Sequence, residues 1–269
     1  IADFIGDSLQ LAKKAKETTA DIIVFCGVTF MAESAKILNP EKKVLLPVAE
    51  AGCPMADMAT AEALEALKME HPGVPVVTYV NSSAEVKAAS DICCTSSNAV
   101  AVVRSLNAEK IIFAPDKNLG TYVDQMVPEV EVIKWNGFCP THDRVLNEAI
   151  QKTHAKHPGI PILVHPECRP EVFADADMVG STSQILAHVR NSDQQTFVIG
   201  TEMGILHALK NDNPDKTFYM LSDQLICSDM KKTTLKDVLS ALQDEKYEIF
   251  IDDDVSKKAY QALERMLNL

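Results

Sequence analysis

Short, mostly apolar runs alternate along this chain with longer helix-like stretches. The runs are Ile22–Phe25, Val44–Leu46, Val74–Val80, Ile111–Phe113, Val130–Ile133, Ile160–Val164, Phe197–Ile199 and Phe218–Leu221. Runs of this length with little polar interruption predict strands buried on both faces. Helical stretches lie between them, among them Thr60–Glu70, Arg144–His154, Met203–Leu209 and Thr234–Leu242. Strand and helix in alternation predict an α/β fold whose parallel sheets are covered by helices on both sides. No apolar run approaches the length needed to span a membrane.

The pattern also repeats on a longer scale. His71-Pro72-Gly73-Val74-Pro75-Val76-Val77 returns 86 residues later as His157-Pro158-Gly159-Ile160-Pro161-Ile162-Leu163. The same register pairs Tyr79 with His165, Asn81 with Glu167, Asp91 with Asp177, Thr95 with Ser181 and Ser96 with Thr182. Asn39-Pro40-Glu41-Lys42 matches Asn213-Pro214-Asp215-Lys216 at a shift of 174. The expectation is three similar α/β/α three-layer domains: residues 1–70 joined by 245–269, then 71–156, then 157–244. Asp3–Ser8 resembles Asp91–Ser96, so the register expects a further strand upstream of Ile1.

One cysteine marks each repeat. Cys53, Cys139 and Cys227 lie 86 and 88 residues apart, each after an apolar run and shortly before a helix-like segment. Ligands of open α/β sheets collect beyond the carboxyl ends of strands, and such spacing would bring three thiolates to a common axis. A lone cysteine reads as an ordinary core residue; three in register on post-strand loops read as cluster ligands. Structural zinc normally takes four ligands with paired C-x-x-C spacing, which is absent here. His142 is a candidate fourth ligand, but Met55 and Met230 hold comparable places in the other repeats. A four-iron cluster normally has four thiolates, so three would leave one iron open as a Lewis acid. Cys26, Cys93 and Cys94 end strands and read as core; Cys168 falls near the site without a counterpart.

Charge and composition narrow the partners. The net charge is −12 with a pI near 5.0, which argues against nucleic acid and anionic membrane surfaces. Seven cysteines, two of them adjacent, do not form a secreted disulfide framework, and a reducing cytoplasm is expected. Small anions remain. Ser96 in Thr95-Ser96-Ser97-Asn98, and Ser181 and Thr182 in Ser181-Thr182-Ser183, stand between a strand and a helix, with Ser8 a third such place. These positions suit helix N-caps and equally suit cradles for carboxylate or phosphate. At strand ends, Tyr79 and Asn81 project together, as do His165 and Glu167. A His/Glu pair beside an open metal is an acid–base candidate, and His142 joins it through Cys139. His71 and His157 end helices in turns, and His154 and His207 read as helix surface.

Several ordered motifs together resemble the quinolinate synthase family over essentially the whole chain. They are Ile1–Leu9, Cys53-Pro54-Met55-Ala56, Tyr79-Val80-Asn81-Ser82, Thr95–Ala99, Pro115–Gly120, His165–Cys168, Gly180-Ser181-Thr182, Gly200–Gly204 and Cys227–Lys232. The resemblance implies three α/β/α domains about a pseudo-threefold axis, with one [4Fe–4S] cluster per chain bound by Cys53, Cys139 and Cys227. It implies condensation of iminoaspartate with dihydroxyacetone phosphate to quinolinate, for de novo NAD synthesis. Tyr79, Asn81, His142, His165 and Glu167 match the family's active-site residues, and Ser8, Ser96, Ser181 and Thr182 match positions holding substrate carboxylate or phosphate. The family's N-terminal strand with its His-x-Tyr pair is not in this sequence, and weak or no synthase activity is expected of a chain beginning at Ile1. The rivals are another three-thiolate iron–sulfur dehydratase of a hydroxy acid, a metal-free dicarboxylate-binding protein, and a structural zinc protein.

Overall fold

The computed structural model describes residues 2–269; Ile1, which opens the Ile1–Leu9 motif, lies outside them. The chain begins with α1 (Ser8–Glu17), β1 (Ile22–Val24), α2 (Thr29–Leu38), β2 (Lys43–Leu45) and α3 (Ala61–Glu70). It continues through β3 (Val76–Tyr79), α4 (Ala84–Ala88), β4 (Ile92–Cys94), α5 (Ala99–Ser105), β5 (Lys110–Ala114), α6 (Lys117–Met126), β6 (Glu131–Lys134), α7 (Pro140–Asp143) and α8 (Asn147–Lys156). Next come β7 (Ile162–Val164), α9 (Pro170–Ala174), β8 (Met178–Val179), α10 (Thr182–Asn191), β9 (Thr196–Gly200), α11 (Ile205–Asp212) and β10 (Thr217–Met220). Two helices close the chain, α12 (Leu235–Asp244) and α13 (Asp253–Leu267).

The strands form three parallel sheets. Two have four strands in equivalent order, β4-β3-β5-β6 and β8-β7-β9-β10, and the third pairs β1 with β2. In each four-stranded sheet the first strand in sequence lies between the second and third, so the direction of winding reverses beside it.

The repeat holds down to single hydrogen bonds. The Val76 N–H donates to Asp91 Oδ2 at 2.8 Å, and 86 positions later the Ile162 N–H donates to Asp177 Oδ2 at 2.8 Å. Asn39 Nδ2 donates to Ala35 O at 3.0 Å, as Asn213 Nδ2 does to Leu209 O at 3.0 Å. His71 and His157 close α3 and α8, and Gly73 and Gly159 follow with φ of +80° and +78°. Only glycine enters that left-handed region without strain, which is why both turns read His-Pro-Gly.

Element boundaries shift where local chemistry overrides apolar pattern. The run Val74–Val80 yields a strand only from Val76; Pro75 has no N–H to give to a ladder. The helix expected from Arg144 starts at Asn147 because a separate short helix, α7, ends at Asp143. Cys26, expected in the core, is exposed. It follows β1, which among the described residues pairs with β2 alone, so the other edge of that strand has no ladder partner. Cys93 and Cys94 are fully buried, as expected.

The chain end returns to the first sheet. Leu46 N–H donates to Tyr247 O at 3.0 Å and Ile249 N–H to Val44 O at 2.8 Å, antiparallel to β2. Helix α13 then packs against α2, α4 and β4, burying Ala259, Ala262, Leu263 and Met266. Those side chains share one core with Ile37, Val77, Ile111, Phe113 and Leu119; a second gathers Ile162, Val164, Val172 and Val198. Tyr122 contacts both cores, its ring edge-on to Phe173 with centroids 5.9 Å apart. No helix among the described residues is long and apolar enough to cross a membrane.

Candidate active site

Parallel strands send all their carboxyl ends to one side of a sheet, and the polar residues singled out above stand there. Tyr79 ends β3 and His165 follows β7, the equivalent strand. Ser96 follows β4 and Ser181 follows β8; Asp116 follows β5 and Glu202 follows β9. Cys53, Cys139 and Cys227 sit on the loops after β2, β6 and β10.

Glu167 is the hub. Its side chain is 4% exposed, and both of its oxygens are engaged. The Tyr79 hydroxyl donates to Oε1 at 2.7 Å, and His142 Nδ1 lies 2.8 Å from Oε2. Burial alone would raise the pKa of this carboxyl. The neighbouring His165 and His142, with hydrogen bonds from His142 and Tyr79, outweigh burial and hold it well below the usual carboxylate range. Burial pushes Tyr79 well above the ordinary phenol value, with the Glu167 charge adding to it, so Tyr79 is a neutral donor.

The two histidines make different contacts. The Glu167 backbone N–H donates to His165 Nδ1 at 3.2 Å, so that nitrogen is bare and Nε2 carries the proton, 3.1 Å from Ser96 Oγ. Burial also pushes His165 down to about 4, which makes it a neutral imidazole at neutral pH. His142 Nδ1 is also 3.2 Å from Cys139 Sγ, while its Nε2 is 2.9 Å from Thr201 Oγ1. The two rings lie 5.0 Å apart between centroids.

This sets a pH dependence of stability. Between about 6.5 and about 4, the unfolded chain takes a proton on His165 that the folded chain refuses, so stability falls as pH falls through that window. A shift of this size is worth about 3 kcal/mol. Thermal melts of the metal-free chain should therefore show a midpoint falling from about pH 6.5 toward about pH 4.5, and His165→Asn should flatten that fall. Equal slopes in the two proteins would contradict the assignment.

The cysteines couple to this network and to one another. All three are free and partly buried. Burial pushes the Cys53 thiol up to about 12; backbone N–H groups of Ala56 and Met55 oppose this, and the charges of Glu167 and Cys227 add to it. Cys139 is likewise pushed well above the ordinary thiol value by burial first and Glu167 next, with Cys53 also contributing. Cys53 is thus within electrostatic reach of both other sulfurs. Cys139 Sγ, a His142 ring nitrogen and a Glu167 oxygen also lie within 4.8 Å of one another. Thiols kept neutral by burial, as Cys53 and Cys139 are, suit a cationic, sulfur-loving centre that would deprotonate them. Asn81 Oδ1 is buried without a hydrogen-bond partner, an acceptor that a group outside the chain would satisfy. Together the donor set and this orphan acceptor fit an iron–sulfur centre with a ligand beside it.

Three helix starts face the same region, and they share one motif. The backbone N–H of Asp7, Thr95 and Ser181 each donates to the side-chain amide oxygen three residues on: Gln10 at 3.1 Å, Asn98 at 2.7 Å and Gln184 at 2.8 Å. Ser8, Ser96 and Thr182 are the next residues. Ser8 is the first residue of α1, capped by Asp7, and lines a small cavity with Phe25, Phe30, Ser34 and Val80. The Asp7 charge reaches His165. Ser181 caps α10, and Gln184 Nε2 links it to Ser97 O at 3.4 Å.

Sequence reasoning passed over Asn118, Asp143 and Thr201, which hold this site. Asn118 Nδ2 donates to Glu167 O at 3.0 Å and to Asp143 Oδ1 at 3.1 Å, and Arg169 Nη2 holds Asp143 Oδ2 at 3.0 Å. Thr201 orients His142. Asp116 and Glu202 lie 86 apart, inside the Pro115–Gly120 and Gly200–Gly204 motifs, so the repeat register and the motifs both pointed to them. Cys168 is fully buried, with its thiol 3.5 Å from Gly200 O.

Residues 1–268 match the family described as quinolinate synthetase A protein. A quinolinate synthase of Alkaliphilus metalliredigens is 58% identical over 269 residues, which is 100% of this chain and 89% of that protein. One from Caldicellulosiruptor saccharolyticus is 55% identical and one from Thermodesulfovibrio yellowstonii 51%, with the same coverage of both chains. Matched over nearly every residue by one family, and more than half identical to its named members, the chain belongs to the quinolinate synthetase A protein family of enzymes.

Proposed function

We propose that the chain condenses iminoaspartate with dihydroxyacetone phosphate to quinolinate, releasing phosphate and water, with a [4Fe–4S] cluster bound by Cys53, Cys139 and Cys227. The observation that carries the reading is the Tyr79–Glu167–His142–Cys139 network, with Cys53 and Cys227, also free, on the loops after β2 and β10. Its relatives' names supply the product. When bound, a cluster with three protein ligands supplies an open iron acting as a Lewis acid toward substrate oxygen or nitrogen.

The chain's own groups do the rest. Glu167, ionised and aimed between Tyr79 and His142, is the general base. Tyr79 is a neutral proton donor, and His142 passes or orients a proton between Glu167 and Thr201. His165 presents its Nε2–H beside Ser96, where a substrate oxygen would accept it. Asn81 offers its unpartnered oxygen to a substrate N–H or O–H. Ser8, Ser181 and Thr182, at the starts of α1 and α10, and Ser96, in the turn before α5, receive carboxylate and phosphate groups through hydroxyls and backbone N–H groups. These cradles give an acidic protein local sites for anionic substrates.

The reading includes a division into residues 1–70 with 245–269, 71–156 and 157–244, supported by the sheet grouping and the return of residues 247–249 to β2. Seven free cysteines suit a reducing compartment such as the cytoplasm.

The test is direct. Protein purified without oxygen should carry about four irons per chain with matching sulfide, and should form a pyridine dicarboxylate from the two substrates, identified by mass. Iron-loaded protein that yields no pyridine product, or that only dehydrates hydroxy acids, would overturn the reading.

A further inference from the structure

Two carboxylates outside the catalytic network grip the cysteine loops by their backbone. Asp116 is fully buried; its Oδ1 accepts the Leu119 N–H at 2.8 Å and its Oδ2 accepts the N–H of Cys139 itself at 3.1 Å. A second strut joins the same loops, with the Lys117 N–H donating to Gly137 O at 2.8 Å. Glu202, at the equivalent position of the next repeat, repeats the arrangement. Its Oε2 accepts the Gly204 N–H at 2.7 Å and its Oε1 accepts the N–H of Cys227 at 3.3 Å. Lys231 Nζ, from beyond the cysteine, lies 2.8 Å from Oε1 and 3.0 Å from Oε2. A Cβ at Gly204 would sit 2.7 Å from Glu202 Oε2, so glycine there is what lets the carboxylate fold back.

The first repeat does this differently. Thr29 follows β1, and its N–H and hydroxyl both donate to Ala51 O, at 2.8 and 3.0 Å. Its loop is therefore held two residues before Cys53, and among the described residues no carboxylate accepts the cysteine N–H. A carboxylate has two oxygens that only accept, so each can tie two N–H donors and lock a cysteine loop to the end of the neighbouring strand. Partners of this kind orient metal ligands and decide how firmly they hold.

Resting on the cluster reading above, we infer that Asp116 and Glu202 are positioning residues that fix Cys139 and Cys227, respectively, for cluster binding, while Cys53 is set independently of any carboxylate. An amide in place of either carboxylate keeps one acceptor but turns a donor against the second N–H, so D116N and E202Q should be milder than D116A and E202A.

The experiment uses the iron-loaded full chain, with thiol alkylation mapped by mass spectrometry and iron loss to a chelator followed optically. Wild type should protect all three cysteines. D116A should label Cys139 first and E202A should label Cys227 first, with iron lost roughly 10–100-fold faster and unchanged far-ultraviolet dichroism; D116N and E202Q should fall between and stand in for an alanine variant that does not fold. Wild-type protection and release rates in all folded variants would overturn the inference and leave the cluster reading intact. Simultaneous labelling of all three cysteines in each variant would also overturn it, since the effect would not be local. A wild-type chain that holds no iron and labels at all three sites would overturn both.

Discussion

Alanine at Cys53, Cys139 or Cys227, one at a time, is expected to empty the site of iron and reduce quinolinate formation to background. Three protein ligands leave no spare, so losing one removes a third of the attachment and opens a second iron to solvent. Lewis-acid stabilisation is worth several kcal/mol in a charged transition state, so turnover should fall on the order of a thousandfold or more. The fold should survive, because all three sulfurs lie on loops after strands rather than within the ladders. Iron and sulfide analysis beside a dichroism spectrum checks both halves. Cys168→Ala is the control: that thiol is fully buried in the core with Val164 and Val172, and its loss should leave iron content unchanged. Iron retained after any of the three ligand substitutions would remove that cysteine from the set.

The cysteines were legible because repetition gave them a frame. A single Cys in an apolar sequence carries no signal, whereas three at matching offsets do, and the paired hydrogen bonds of Asp91 and Asp177 justify that register atom by atom. The strand ends carrying Tyr79, His165 and Glu167 could be read for the same reason. What the sequence withheld were contacts between repeats. Nothing in the composition around Asn118 says that its amide will reach Glu167 O, 49 residues away, or that Thr201 will meet His142, 59 residues away. Those pairings depend on how sheets pack, not on periodicity. Cys26 failed for a related reason, since an apolar run shows that a strand forms and not whether both its edges are covered.

Glu167→Gln should preserve iron content and fold while lowering turnover by about 10²–10⁴-fold, the usual contribution of a general base. The change keeps the size of the side chain, and its amide can still meet the Tyr79 hydroxyl and His142 Nδ1, so the 2.7 and 2.8 Å contacts have replacements. What it cannot do is take a proton. The effect should appear in kcat rather than KM, because both hydrogen bonds that orient the loop, Asn118 Nδ2 to Glu167 O and the Glu167 N–H to His165 Nδ1, use the Glu167 backbone. Measured per loaded site under anaerobic conditions, turnover within twofold of wild type would remove Glu167 from this role.

The return of the chain end to β2 has a bearing on biosynthesis. Both four-stranded sheets are built from contiguous stretches, so each can close as soon as it clears the ribosome. The β1–β2 sheet, made before the other two, waits for residues 247–249 to complete its pairing, and the core shared by α2, β4 and α13 waits for α13. The sheet that precedes Cys53 is therefore the last of the three to be finished. Order along the chain thus lets the sheets before Cys139 and Cys227 close ahead of the one before Cys53.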